Sequence, residues 1–448
     1  MKPKVIPRAQ HPISRQLIDP DALKVMYRLV KSGYKAYLVG GGVRDLLLGR
    51  TPKDFDIGTD AHPNRIKKLF RNCRLVGRRF RLAHVHFGDN IIEVSTFRRR
   101  SEYQEQEDGD RLIRSDNTFG TPEEDAVRRD FTINGLFYDL ETFSVLDYVG
   151  GIDDLEKRVI RSIGDPRVRL PEDPVRIIRV IKFAARLDFE VDPVLWKAMV
   201  RSAHEIHKCA KARVLEEIYR LLREGSSAAA FQLLHECGLL AELLPLVDAH
   251  LKKRRKAERD GDRVFWQYLE TLDQLQHEGA ELGNPLILGA LAAHLVGVSL
   301  GENDLTEINA QDLTRAVDTF TRDWVTRLGV ARRDRERLAH MLRAQPRFVR
   351  PRGRRFRPRA FVTKHYYPDA EALFALGSRA TGLEIESLER WRALYQEHGE
   401  NGVTEPPGSR RRRLRKREEP EAPPAEAAPK RKRGGRRRRR GRRRAAGG

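Results

Sequence analysis

The sequence predicts an α/β head, then an all-α neck and body and a disordered basic C-terminal tail, and three observations carry that prediction. Short β-type runs are confined to residues 36–150, in AYLV, DFDI, IIEVSTF and SVLDYVGG. From about Leu155 onward amphipathic periodicity takes over, as in VRIIRVIKFAARL, RVLEEIYRLL and AAAFQLLHECGLLAELL. After Gly399 the composition falls to Arg, Pro, Glu, Ala and Gly, which leaves almost nothing apolar to bury, so disorder is expected there.

A chain of 448 residues holds several small cores. The expected division is a head over 15–150, a neck over 151–225, a body over 226–345, a basic and aromatic region over 346–398 and the tail over 399–448. Gly225-Ser226-Ser227 and the charged stretch Lys252–Arg263 read as connections between helices, the second long enough to be mobile. No apolar run is long enough to cross a bilayer; the longest, Pro285–Val298, is interrupted by His294. The N-terminal MKPKVIPRAQHPI has no continuous apolar stretch before a small-residue cleavage site, so a cytoplasmic protein is expected. Cys73, Cys209 and Cys237 lie far apart and form no metal-binding pattern.

Charge is unevenly spread. Residues 401–448 hold nineteen Lys/Arg against five Glu, a net of +14 out of +23, which leaves a body that is still basic at +9. A polyanionic partner is expected, with the arginine runs acting as a salt-sensitive tether.

Chemistry concentrates in three segments. The first is AYLVGGGVRDLLLG, residues 36–49, followed by PKDFDIGT, residues 52–59. A strand running into Gly40-Gly41-Gly42 and then a helix brings backbone N–H groups close to a phosphate, and Arg44 adds a guanidinium suited to phosphate oxygens. Asp54 and Asp56, read as lying in a short strand, project from one face and repel unless a divalent cation sits between them. A third carboxylate usually completes such a site. Candidates are Glu93, in IIEVSTF, and Asp130, in EEDAVRRDFTINGLFYD, where Arg129 and Asn134 supply donors and acceptors for ribose and triphosphate. The third segment is LPEDPVRIIRVIKFAARLDF, residues 170–189. As one helix it gathers Glu172, Asp173, Arg176 and Arg179 on a face that is either a solvated ladder of charges or a reader of nucleobase edges.

In this order, GGGVRD with DFD, RRDFTIN and EDPVRIIR resemble the class II tRNA nucleotidyltransferase and bacterial poly(A) polymerase family, over roughly residues 15–240. The resemblance implies a polymerase-β-like nucleotidyltransferase head in which Asp54 and Asp56 hold Mg²⁺ in a two-metal site, with Asp130 preferred as the further catalytic carboxylate and Glu93 as accessory. It implies that Gly41, Gly42, Arg44 and Asp45 border the triphosphate of ATP, with Arg129 and Asn134 nearby, and that Asp173 and Arg176 select the base with support from Arg179.

LVGRRFRLAHVHFG, residues 75–88, and RSDNTFGTPEEDAVRRDFTIN, residues 114–134, look more like the poly(A) polymerase side than the CCA-adding side. The basic and aromatic segment 347–374 is suited to stacking bases through Phe348, Phe356, Phe361, Tyr366 and Tyr367. The expected activity is addition of AMP from ATP to RNA 3′ ends, in mRNA polyadenylation and RNA turnover, by a monomer whose partners are RNA and proteins of RNA degradation. A CCA-adding enzyme is the alternative, and a non-catalytic RNA-binding protein a more distant one.

Overall fold

A computed structural model of the protein describes residues 2–77, 81–99, 118–256, 261–301, 305, 308–350 and 356–399. The expected tail beyond Gly399, part of the 75–88 segment and the start of the 114–134 segment lie outside the described residues.

The head is built on one eight-stranded sheet. Its strands are β1 (Lys4–Ile6), β2 (Ala36–Val39), β3 (Ile57–Thr59), β4 (Cys73–Val76), β5 (Leu82–Phe87), β6 (Asn90–Thr96), β7 (Leu136–Asp139) and β8 (Ser144–Asp147), in the order β1-β8-β7-β2-β3-β6-β5-β4. All neighbours are antiparallel except β3 and β6. Between the strands run helices α1 (Pro20–Lys31), α2 (Gly41–Leu47), α3 (Pro63–Leu69) and α4 (Pro122–Arg128). Alternation along β2 and β7 sends Leu38 and Tyr138 into the main core beneath α1, while Val39 and Phe137 turn to a smaller cluster with Phe97 and Ala126. That smaller cluster seats α4, whose start is fixed by a capping box between Thr121 and Glu124.

The remainder of the described chain is mainly helical. It comprises α5 (Gly151–Glu156), α6 (Pro166–Glu172), α7 (Val175–Leu187), α8 (Pro193–Ser202), α9 (Lys211–Leu221), α10 (Ser227–Glu236), α11 (Leu239–Leu243), α12 (Pro245–Lys256), α13 (Gly261–His277), α14 (Asn284–Ala292), α15 (Ala310–Leu328), α16 (Arg332–Val349), α17 (Pro358–Val362), α18 (Tyr367–Thr381) and α19 (Ile385–His398). Among the described residues there, one strand pair, Val159–Ile160 with Glu190–Val191, is two residues long and parallel. The Lys252–Arg263 stretch, expected as a mobile connection, is helical up to Lys256 and again from Gly261.

Two expectations are corrected. The 170–189 segment is two helices: Asp173 leaves the helical region, with φ −151° and ψ 85°, because Pro174 disfavours helical geometry in the residue before it. Glu172 and Asp173 therefore belong to a different helix end from Arg176 and Arg179. The aromatics of 347–374 are mostly core. Phe348, Phe361 and Tyr367 are buried; Phe348 stacks on Phe374 with ring centroids 4.8 Å apart, and its carbonyl accepts from Trp391 Nε1 at 2.9 Å. Only Phe356 and Tyr366 keep partial exposure.

The start of α5 meets the head tightly. A Cβ on Gly151 would lie 2.2 Å from the Thr132 carbonyl oxygen. Gly151→Ala is expected to destabilise the protein by about 1–3 kcal/mol in denaturant unfolding, since the clash is with backbone rather than a mobile side chain.

Candidate active site

Strand β2 ends at Val39 and is followed by Gly40, whose φ of +71° is a conformation that disfavours any side chain and turns the chain into α2. Gly42 sits where a Cβ would be 3.4 Å from the carbonyl oxygen of Asp54. This close approach sets the first turn of α2 beside the two aspartates.

Asp54 and Asp56 lie in the extended segment just before β3, not in the strand expected for them; pairing begins at Ile57. Asp54 is exposed and Asp56 half-buried. Because β3 pairs in parallel with β6, Ile57 faces Val94, and Glu93 stands next to it on β6. Burial, then the negative charges of Glu93 and Asp54, push the Asp56 carboxyl up to about 6, against the opposing pull of Arg129. Burial and the charge of Asp54 likewise raise Glu93. The carboxylate that crowds the aspartates is thus Glu93, whose Oε2 is also 3.6 Å from Nε2 of His84 on β5.

Asp130 is engaged elsewhere. Its Oδ2 forms a 2.6 Å ion pair with Arg179, and its Oδ1 accepts from the Phe131 N–H at 2.9 Å and from Asn134 Nδ2 at 3.2 Å. Burial alone would raise this carboxyl, but Arg179 and these donors hold it below the usual range.

Arg44 was expected to offer its guanidinium to phosphate. It is buried instead, donating to Asp45 Oδ1 at 2.8 Å and to Asn134 Oδ1 at 2.6 Å, and lying over the Phe183 ring. Arg44 and Asp130 therefore hold Asn134 from both ends of its amide. Arg129 lies near enough to Asp56 for its charge to pull that carboxyl down; Asp125 grips the Arg129 guanidinium at 3.0 Å, its Nη1 donates to the Asn134 carbonyl at 3.4 Å, and that nitrogen would lie 2.8 Å from a Cβ on Gly40.

Four residues missed at the sequence level complete the frame. Asp125 receives Arg128 and Arg129 together. Arg186, on α7, binds Asp45 at 2.9 Å. Arg169 donates to the carbonyls of Arg128 and Arg129, both at 2.8 Å, and pairs with the buried Glu172. Arg213, on α9, grips Asp173 through two 2.7 Å bonds. Arg176, already named from the sequence, donates to the carbonyl of one of these four, Arg169, at 2.5 Å. Each is an arginine or carboxylate on an otherwise apolar helix or within a charged motif, a signal that marks pairing but does not name the partner.

Among the described residues no group of three or more His, Cys, Asp or Glu side chains is drawn together as a metal cage. A hard cation held by two carboxylates and completed by substrate phosphates needs no such cage.

Comparison with known proteins settles the family. A model described as the poly(A) polymerase head domain matches residues 36–161. Poly(A) polymerase I of Salmonella typhi is 41% identical over 370 residues, which cover 77% of this chain and 79% of that protein. The chain belongs to the poly(A) polymerase family. Poly(A) polymerase I of Escherichia coli O157:H7 is 42% identical over 372 residues, with the same coverage. A second model, described as the probable RNA and SrmB-binding site of polymerase A, matches residues 188–251.

CCA-adding enzymes are more distant in sequence: that of Bacillus velezensis is 35% identical over 50% of this chain. In structure the Bacillus stearothermophilus CCA-adding enzyme, solved with CTP, superposes with a TM-score of 0.61 at 26% identity, covering 85% of this chain and 83% of that one. The α/β nucleotidyltransferase head followed by helical parts is therefore the shared fold, and this family member is a nucleotidyltransferase. No helix among the described residues is long and apolar enough to cross a membrane.

Proposed function

We propose that the chain adds AMP from ATP to RNA 3′ ends without a template. The RNA 3′-oxygen attacks the α-phosphorus in line, the bond to the β-phosphate oxygen breaks, and pyrophosphate leaves. The observation that carries this reading is the set of like charges beside α2: Asp54, Asp56 and Glu93, with the last two raised by burial first and then by neighbouring carboxylates, Glu93 and Asp54 on Asp56 and Asp54 on Glu93. That donor set, all hard oxygens with surplus negative charge, suits Mg²⁺, and Asp54 and Asp56 would hold it with Glu93 as the accessory carboxylate. When bound, the cation supplies charge neutralisation for the triphosphate and activates the attacking hydroxyl.

The protein's own groups do the positioning. Backbone N–H groups of Gly41 and Gly42 and the guanidinium of Arg129 border the triphosphate. Asn134, pinned by Arg44 and Asp130, offers a fixed edge to the ribose. Asp173 and Arg176 read the base; both oxygens of Asp173 are taken by Arg213, yet a carboxylate has lone pairs left for an adenine amino group. Arg179 acts by holding Asp130, and Asp45 by tying α2 to Arg186. In this reading residues 15–150 are the catalytic head, 151–225 the neck and 226–345 the body, and the work is done in the cytoplasm. Partners are RNA and ATP.

The test is extension of an unstructured RNA, beside a tRNA lacking its CCA end, with Mg²⁺ and each NTP supplied singly. Long ladders with ATP alone, on both RNAs, are expected. Use of CTP confined to the tRNA would instead make this a CCA-adding member of the fold.

A further inference from the structure

Away from the carboxylates, Ile206, Val214, Leu243 and Leu328 wall a cavity of about 230 Å³. All four are buried and apolar, so an apolar group entering the cavity is removed from water there. The rim has a different character. His207 Nε2 and Glu242 Oε2 stand 2.7 Å apart, both partly exposed. Lys211 Nζ donates to the Thr326 carbonyl at 2.5 Å, and among the described residues it has no carboxylate partner.

Ligand pockets usually occupy about 300–1,000 Å³, so this one suits a single nucleobase and is too small for a nucleoside triphosphate. The Glu242 carboxylate accepts hydrogen bonds and cannot donate them, which favours a ring edge carrying an exocyclic amine over one of carbonyls. Lys211 supplies a cation for the phosphate attached to such a ring. The lining from Ile206 to Leu243 falls within the stretch matched by the RNA-binding family model. Lys211 and Val214 also flank Arg213 in the first turn of α9, so an occupant packs on the same turn that fixes Asp173.

We propose that this cavity is a second nucleobase site, which takes one unstacked adenine from the RNA being extended; the assignment rests on the AMP-transfer reading above. A growing tail of A offers that base in every register, so the grip on RNA strengthens once a tail exists.

The full chain is titrated at one salt concentration with labelled dodecameric oligo(A) and oligo(U), following anisotropy, alongside the ATP extension assay. Oligo(A) is expected to bind roughly tenfold tighter than oligo(U), from one hydrogen bond to a charged group. Glu242→Ala at the rim and the cavity-filling Leu243→Trp should each bring that ratio close to one, with melting temperature confirming that the variants fold. Equal binding of the two RNAs, or a preference that survives both variants, overturns the site while leaving AMP transfer intact. Absence of AMP transfer by the wild-type chain overturns both. Free AMP brings the same ring with one phosphate: Glu242-dependent binding of AMP as tight as that of oligo(A) assigns the cavity to the free nucleotide and overturns the RNA assignment.

Discussion

Asp56→Asn is expected to abolish AMP transfer, by at least about a thousandfold, and at the same time to raise the melting temperature of the cation-free protein at pH 8. Both effects have one cause. The Asp56 carboxyl is pushed up to about 6 from an ordinary 3.8 by burial and by the charges of Glu93 and Asp54. Between those two values the folded chain holds a proton that the unfolded chain releases, so stability falls as pH rises from about 4 to about 6 and stays lower above that. Asparagine removes this penalty, of the order of 1–2 kcal/mol for a half-buried group, or a rise of a few degrees. In EDTA the gain should be full at pH 8 and should shrink toward pH 5. Adding Mg²⁺ should raise the melting temperature of the wild type and do little for the variant. Retained transfer, or a variant that melts no higher than wild type in EDTA at pH 8, would sink the assignment of Asp56 to the cation.

The local grammar of this site was readable and its long-range pairings were not. The β2–glycine–α2 turn follows from a strand, a glycine triplet and a helical pattern in sequence, and it is where the sequence places it. The break at Asp173 was also available, since a proline follows it, but the helical pattern of residues 175–187 overrode that signal. That Glu93 stands beside the aspartates follows from the parallel pairing of β3 with β6, which no local pattern encodes. The burial of Arg44 and of Phe348, Phe361 and Tyr367 has the same origin: each is covered by an element distant in the chain, such as α7 over Arg44 and α19 over Phe348. Composition says that aromatics and arginines are interleaved; only packing says which of them reach water.

Removing Arg179 separates the two roles that were open to Asp130. Arg179→Gln leaves a carboxylate that is 7% exposed without its cation, and a loss of about 2–3 kcal/mol is expected, below the usual cost of stripping a buried pair because Arg179 is itself 34% exposed. Asp130→Asn in the same chain removes the stranded charge, so the double variant should recover most of that stability in a double-mutant cycle. Transfer should stay low in both, because the loop carrying Arg129 and Asn134 has lost a tie to α7. The Mg²⁺ concentration for half-maximal activity decides the matter. If Asp130 positions Asn134, that concentration is unmoved by Asp130→Asn and the loss appears in KM for ATP, whereas Glu93→Gln shifts the Mg²⁺ requirement upward. A large Mg²⁺ shift in Asp130→Asn, with none in Glu93→Gln, would return Asp130 to the metal and require its ion pair with Arg179 to open in the working enzyme.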